Sequence, residues 1–120
     1  MGKVEKFEDL RVWQQGIELT KQIYKITTQG KLSRDFGLKD QLRRAIVSVP
    51  TNIAEGYERC SRKEYVQFLS IAKGSVGEVR SLLRVAMEIG YLPQEDYDTL
   101  HSQVLQLGRM LAKQIQVLKQ

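Results

Sequence analysis

The residues in this sequence whose type and spacing suggest a task are basic. Arg43 and Arg44 are adjacent, Arg59, Arg62 and Lys63 crowd one short turn, Arg80 and Arg84 stand four apart, and so do Arg109 and Lys113. On a helix a four-residue step places two side chains on one face. Guanidinium groups suit the geometry of phosphate oxygens. The chemistry these residues would perform is electrostatic: holding a polyanion, RNA or DNA, rather than transforming it. The competing reading is a solvated face balanced within the chain, with Glu78 and Glu88 offsetting Arg80 and Arg84.

Bond-breaking chemistry has little to work with. The single histidine, His101, has no second histidine with which to form a zinc site. The single cysteine, Cys60, precedes a helix start, where a thiol is acidified, but no base stands near it in sequence and a nucleophile needs one. Carboxylates pair at Glu55 with Glu58 and at Asp96 with Asp98, yet the Glu-x-x-His motifs of a di-metal helical bundle are missing. The segment "AKGSVGE" lacks the strand and the full glycine pattern of a phosphate-binding loop. We therefore expect no catalytic residue, no metal and no cofactor, and no enzymatic activity.

The elements that must position the basic residues read as four helices. Residues 8–29 carry Leu10, Trp13, Ile17, Thr20 and Tyr24 at three- and four-residue steps, widened by Ile23 and Ile26, with Gly30 as the stop. Residues 35–58 carry Phe36, Leu38, Leu42, Ala45, Ile46, Val49, Ile53, Ala54 and Tyr57. Pro50 falls inside this stretch; it lacks an N–H and its ring crowds the carbonyl of residue 46. Because helical spacing continues on both sides, one kinked helix is expected there rather than two. Ser61 with Glu64 reads as a capping box that opens a third helix over residues 62–89. Its core stripe is Tyr65, Phe68, Leu69, Ala72, Val76, Val79, Leu83 and Ala86. Gly74 and Gly77 inside it cost about 1 kcal/mol each, a cost that a tight crossing with the bend at Pro50 would offset. "GYLP" links to a fourth helix, begun at Pro93, with Glu95, Asp96 and Asp98 near its positive end. Its stripe runs from Tyr97 through Leu100, Val104, Leu107, Leu111 and Ile115 to Leu118. The four helices predict an all-α, antiparallel, up-and-down four-helix bundle, residues 1–120 forming one domain.

The totals agree with a soluble chain. It has 120 residues, 42% hydrophobic and 28% charged, with a formal charge of +5. No apolar run is long enough to span a membrane, and "MGKVEKFEDL" has no apolar leader. With one cysteine, a reducing, cytoplasmic setting is expected. The basic balance favours polyanionic partners.

"FEDLRVWQQGIELTKQIY", "FGLKDQLRRAIVSVPTNIAEGYER", "EYVQFLSIAKGSVGEV" and "IGYL", in this order, resemble the four-helix-bundle proteins encoded within intervening sequences of bacterial 23S ribosomal RNA genes. The accessory variability determinants of diversity-generating retroelements are similar in fold. The resemblance covers roughly residues 7–118 and departs in the loop "QGKLSRD". It implies a bundle that assembles with itself, typically as a homopentamer, with nucleic acid as a partner and no enzymatic activity. It also implies a reverse transcriptase or another protein as a partner, and an adaptor role is the alternative function. Ser48, Pro50, Asn52, Glu55 and Gly56, with Ser75 and Glu78, match family positions. They read as packing and polar-network residues that fix the bend of the second helix.

Overall fold

The computed structural model describes residues 3–120. After a short 3-10 helix at Phe7–Asp9 come α1 (Arg11–Ile26), a second 3-10 turn at Lys31–Arg34, α2 (Phe36–Glu58), α3 (Arg62–Glu88) and α4 (Gln94–Lys119). No strand occurs among the described residues. Consecutive helices are joined by short links and pack on one another, and α1 closes the bundle against α4. The result is an up-and-down four-helix bundle, 43 Å long and 23 × 22 Å across.

Local chemistry sets the helix ends. The Asp35 side chain accepts the Leu38 N–H at 3.1 Å and starts α2. Ser61 Oγ accepts the Glu64 N–H at 3.1 Å and starts α3, while its hydroxyl donates to Glu64 Oε1 at 3.3 Å. At the end of α3, Gly90 takes φ 83°, so the Tyr91 N–H reaches the Ala86 carbonyl at 2.9 Å and the Gly90 N–H reaches the Met87 carbonyl at 3.1 Å. That is a Schellman close, which favours glycine at this position. Pro93 stands just outside α4 as its N-cap residue rather than within the first turn.

The core follows the expected stripes on α3 and α4. Leu69, Ala72, Val76, Val79, Leu83 and Ala86 face Tyr97, Leu100, Val104, Leu107 and Leu111. On α1 the expected stripe is displaced by one residue. The buried face is Val12, Gly16, Leu19, Ile23 and, beyond the helix, Thr27. Trp13, Ile17 and Thr20 are half-buried and Tyr24 is exposed. Both series have helical spacing; the structure selects the one containing Gly16. α1 also ends at Ile26, earlier than expected, and Gly30 lies in the link.

α2 is continuous through Pro50. The close approach at Pro50 is made by α1: a Cβ on Gly16 would lie 3.5 Å from Pro50 Cβ and Cδ. Gly74 and Gly77, expected to face the proline, are exposed, and a methyl added at either would have nothing within 4 Å. The tightest glycine is Gly56, where such a methyl would sit 2.7 Å from Phe68 Cβ on α3.

Tyr57 and Tyr65 meet edge-on, with centroids 6.1 Å apart. The Tyr65 hydroxyl is buried with no hydrogen-bond partner among the described residues. Burial, reinforced by Tyr57, pushes its pKa above the ordinary tyrosine value. A raised folded-state pKa gives stability that is present below the unfolded value of about 10 and lost as pH climbs past it. Tyr65→Phe removes an orphaned hydroxyl and this titration together. Its melting midpoint is expected to exceed that of wild type at pH 7, by the equivalent of about 1 kcal/mol, and to fall less between neutral and strongly alkaline pH.

Candidate functional site

The predicted basic residues do not form one patch. They divide among four places, and several are already engaged. Arg43 is built into the α1–α2 contact: its Nε donates to Thr27 Oγ1 at 2.9 Å, and its guanidinium carbon stacks 4.2 Å from the Tyr24 ring centroid. Arg44, next to it, is exposed. Arg59, which caps α2, pairs with Glu55 at 3.1 Å and Glu64 at 3.5 Å, and lies over the Phe68 ring. Arg62 and Lys63 are exposed beside it. Arg84 pairs with Glu88 at 2.7 Å. A hydrogen bond to Tyr97, then the Glu88 partner, raises its pKa further. Among the described residues Glu78 offsets neither Arg80 nor Arg84.

The remaining cations meet in a groove between α3 and α4. Gly77, Gly108 and Ala112 leave room for a cleft of about 290 Å³, and Lys73, Arg80 and Arg109 rim it. No carboxylate lines this groove, and none of the three cations has an ion pair among the described residues. Lys113 follows Arg109 by one helical turn. Lys73 was missed by sequence reasoning. It lies in the small-residue stretch assigned to packing; the signal was its seven-residue spacing from Arg80, which puts both on one face.

The polar motif has a different place. Ser48 Oγ and Ser75 Oγ lie 2.9 Å apart across the α2–α3 contact, and Asn52 Nδ2 donates to the Ser48 carbonyl at 2.8 Å and to its Oγ at 2.9 Å. Half-buried, these groups link two helices by hydrogen bonds. Glu55, expected in the polar network of the bend, is exposed and joins Arg59 instead, and Glu78, expected there too, is exposed apart from it. Ser48 and Asn52 also line a shallow cleft of about 620 Å³ with Tyr24, Arg43 and Arg44. Next to it on the α1–α2 face, Phe7, Trp13, Ile17, Val47, Pro50 and Ala54 line an apolar cleft of about 370 Å³.

His101 is half-buried and stacks on Tyr97 at 5.2 Å. Cys60 is exposed. Among the described residues no three His, Cys, Asp or Glu side chains gather as a metal site, and no helix is long and apolar enough to cross a membrane.

Over residues 8–113, which take in α1, α2, α3, most of α4 and the whole α3–α4 groove, the chain matches the family model for 23S rRNA-intervening sequence proteins. The chain belongs to that family. A solved structure from the S23 ribosomal protein family, a Bacteroides thetaiotaomicron protein of unknown function, superposes with a TM-score of 0.79. Its identity is 22%, and the match covers 87% of this chain and 97% of that one. At that identity the likeness speaks to the fold of this intervening-sequence protein and to nothing further. No curated protein matches this chain.

Proposed function

We propose that this intervening-sequence protein is a non-enzymatic, self-associating bundle that holds RNA or DNA by its phosphates along the α3–α4 groove. The observation that carries the reading is the groove itself: three cations, no carboxylate, and a lining in which Gly77, Gly108 and Ala112 stand among Val76, Val104 and Leu105 and leave room for a backbone to approach. Cations without internal partners are the ones available to displace counterions from a nucleic acid. The apolar α1–α2 cleft, with half-buried Trp13, Ile17 and Phe7, is a surface whose burial against another copy would stabilise an assembly. Every added copy brings another +5, so a ring such as the pentamer the resemblance implies would build a strong field from a modest charge. The same apolar cleft supports the second reading, an adaptor whose partner is a protein such as a reverse transcriptase. Both readings carry a cytoplasmic setting with them.

The test is binding of a labelled RNA duplex at several salt concentrations. Phosphate-based binding predicts a linear fall of log affinity with log salt, with a slope near −3 for about three or four contacts. Binding indifferent to salt, or no binding, removes the reading. Light scattering at the same concentrations reads the subunit number.

A further inference from the structure

The end of the bundle formed by the α1–α2 and α3–α4 links carries a surface that the groove does not explain. Among the described residues Phe36 is the most solvent-open of the large apolar side chains, with 73% of its surface exposed. Sequence spacing puts it in the core stripe of α2. It is two residues from buried Leu38, however, and two residues turn a helix by about 200°, so the ring points away from the core. Leaving a phenyl group in water forgoes about 2 kcal/mol of burial. Its surroundings are basic. Phe36 lines a cleft of about 560 Å³ with Lys31, Arg34 and Tyr91, and the Lys39 ammonium lies 5.9 Å from its ring centroid. The one carboxylate in the lining, Asp35, is occupied in capping α2 through the Leu38 N–H.

The geometry points to a contact for single-stranded nucleic acid at this end, one unpaired base stacking on Phe36 while Lys31 and Arg34 take the adjoining phosphates. An aromatic face offers stacking to any base, and cations beside it track the backbone. A duplex keeps its bases inside and cannot use the ring. A second copy of the same end would set Lys31 and Arg34 against their own equivalents, so like charges oppose self-pairing here. The inference rests on the nucleic-acid reading above, and adds that unpaired segments gain affinity at a site distinct from the groove.

Fluorescence anisotropy with two probes tests it: an unpaired uridine 12-mer RNA and a blunt RNA duplex of equal length. Phe36→Ala is expected to weaken binding of the single strand by roughly tenfold and to leave duplex affinity, circular dichroism and melting midpoint unchanged. Phe36→Tyr should keep most of the single-strand affinity. Unchanged single-strand affinity in Phe36→Ala overturns the inference while the groove reading stands, provided the wild type binds duplex. An equal loss for both probes also overturns it. So does a change of assembly mass without a change in binding, which would assign the ring to a protein contact. A wild type that binds neither probe removes both readings.

Discussion

Gly56→Ala is expected to destabilise the bundle, and Gly74→Ala to stabilise it. Alanine normally gains up to about 1 kcal/mol over glycine inside a helix. At Gly74 nothing lies within 4 Å of the new methyl, so that gain is collected in full. At Gly56 the methyl would meet Phe68 Cβ at 2.7 Å, Tyr65 Cδ1 at 3.1 Å and the Tyr65 carbonyl oxygen at 3.3 Å. A Cβ and a carbonyl are fixed to the α3 backbone, so the strain is relieved only by moving one helix from the other. Overpacking of this kind costs about 1–3 kcal/mol, occasionally more, and here it outweighs the propensity gain. A drop of about 2 kcal/mol corresponds to a midpoint roughly 6–12 °C lower for a chain of this size. Thermal melts of the two variants should therefore move in opposite directions. A Gly56→Ala protein as stable as wild type would mean that α2 and α3 are farther apart than the structure places them.

The larger functional effect belongs to Lys73→Glu combined with Arg109→Glu. Both side chains rim the α3–α4 groove from opposite helices, and neither has a carboxylate partner among the described residues. Reversing them replaces two attractions to phosphate with two repulsions and leaves the apolar core untouched. RNA affinity is expected to fall by about two orders of magnitude at moderate salt, and the salt slope by about two, one for each lost contact. Arg59→Ala and Arg84→Ala are the comparison. These cations are already held by Glu55, Glu64 and Glu88, so each should change affinity only a few-fold. Losses that simply scale with the charge removed, four units in the doubly reversed variant against one in each alanine variant, would show that net charge alone matters and that the groove has no special part. Retained binding to a protein by the doubly reversed variant would favour the adaptor reading.

Helix number, order and most of the core were legible because three features coincided: apolar spacing, the Ser61 cap, and glycine or proline at the links. The phase of α1 was not legible. Leu10, Trp13, Ile17 and Val12, Gly16, Leu19 are both regular series, and the choice depends on Gly16 meeting a proline on another helix. The role of Phe36 escaped for a related reason, since an aromatic beside a core stripe looks like part of it until the helix start fixes its direction. The basic residues were visible, and so was the Glu88 partner of Arg84 one turn along the same helix, but not the partners that lie on other elements. Arg59 reaches Glu64 across the turn between two helices, and Lys73 faces Arg109 only because α3 and α4 are antiparallel neighbours. Sequence shows which charges exist; the fold decides which are neutralised.

The order in which the helices pack also bears on how quickly the subunit forms. α1 rests on α2, α2 on α3 and α3 on α4, and among the described helices the α1–α4 seam is the main one that joins segments distant along the chain. Most loops that must close are therefore short, which keeps the entropic barrier low and places folding on the order of microseconds to milliseconds. A newly made chain would spend little time with its apolar stripes open to misassociation, and its α1–α2 hairpin can form before α4 has been synthesised.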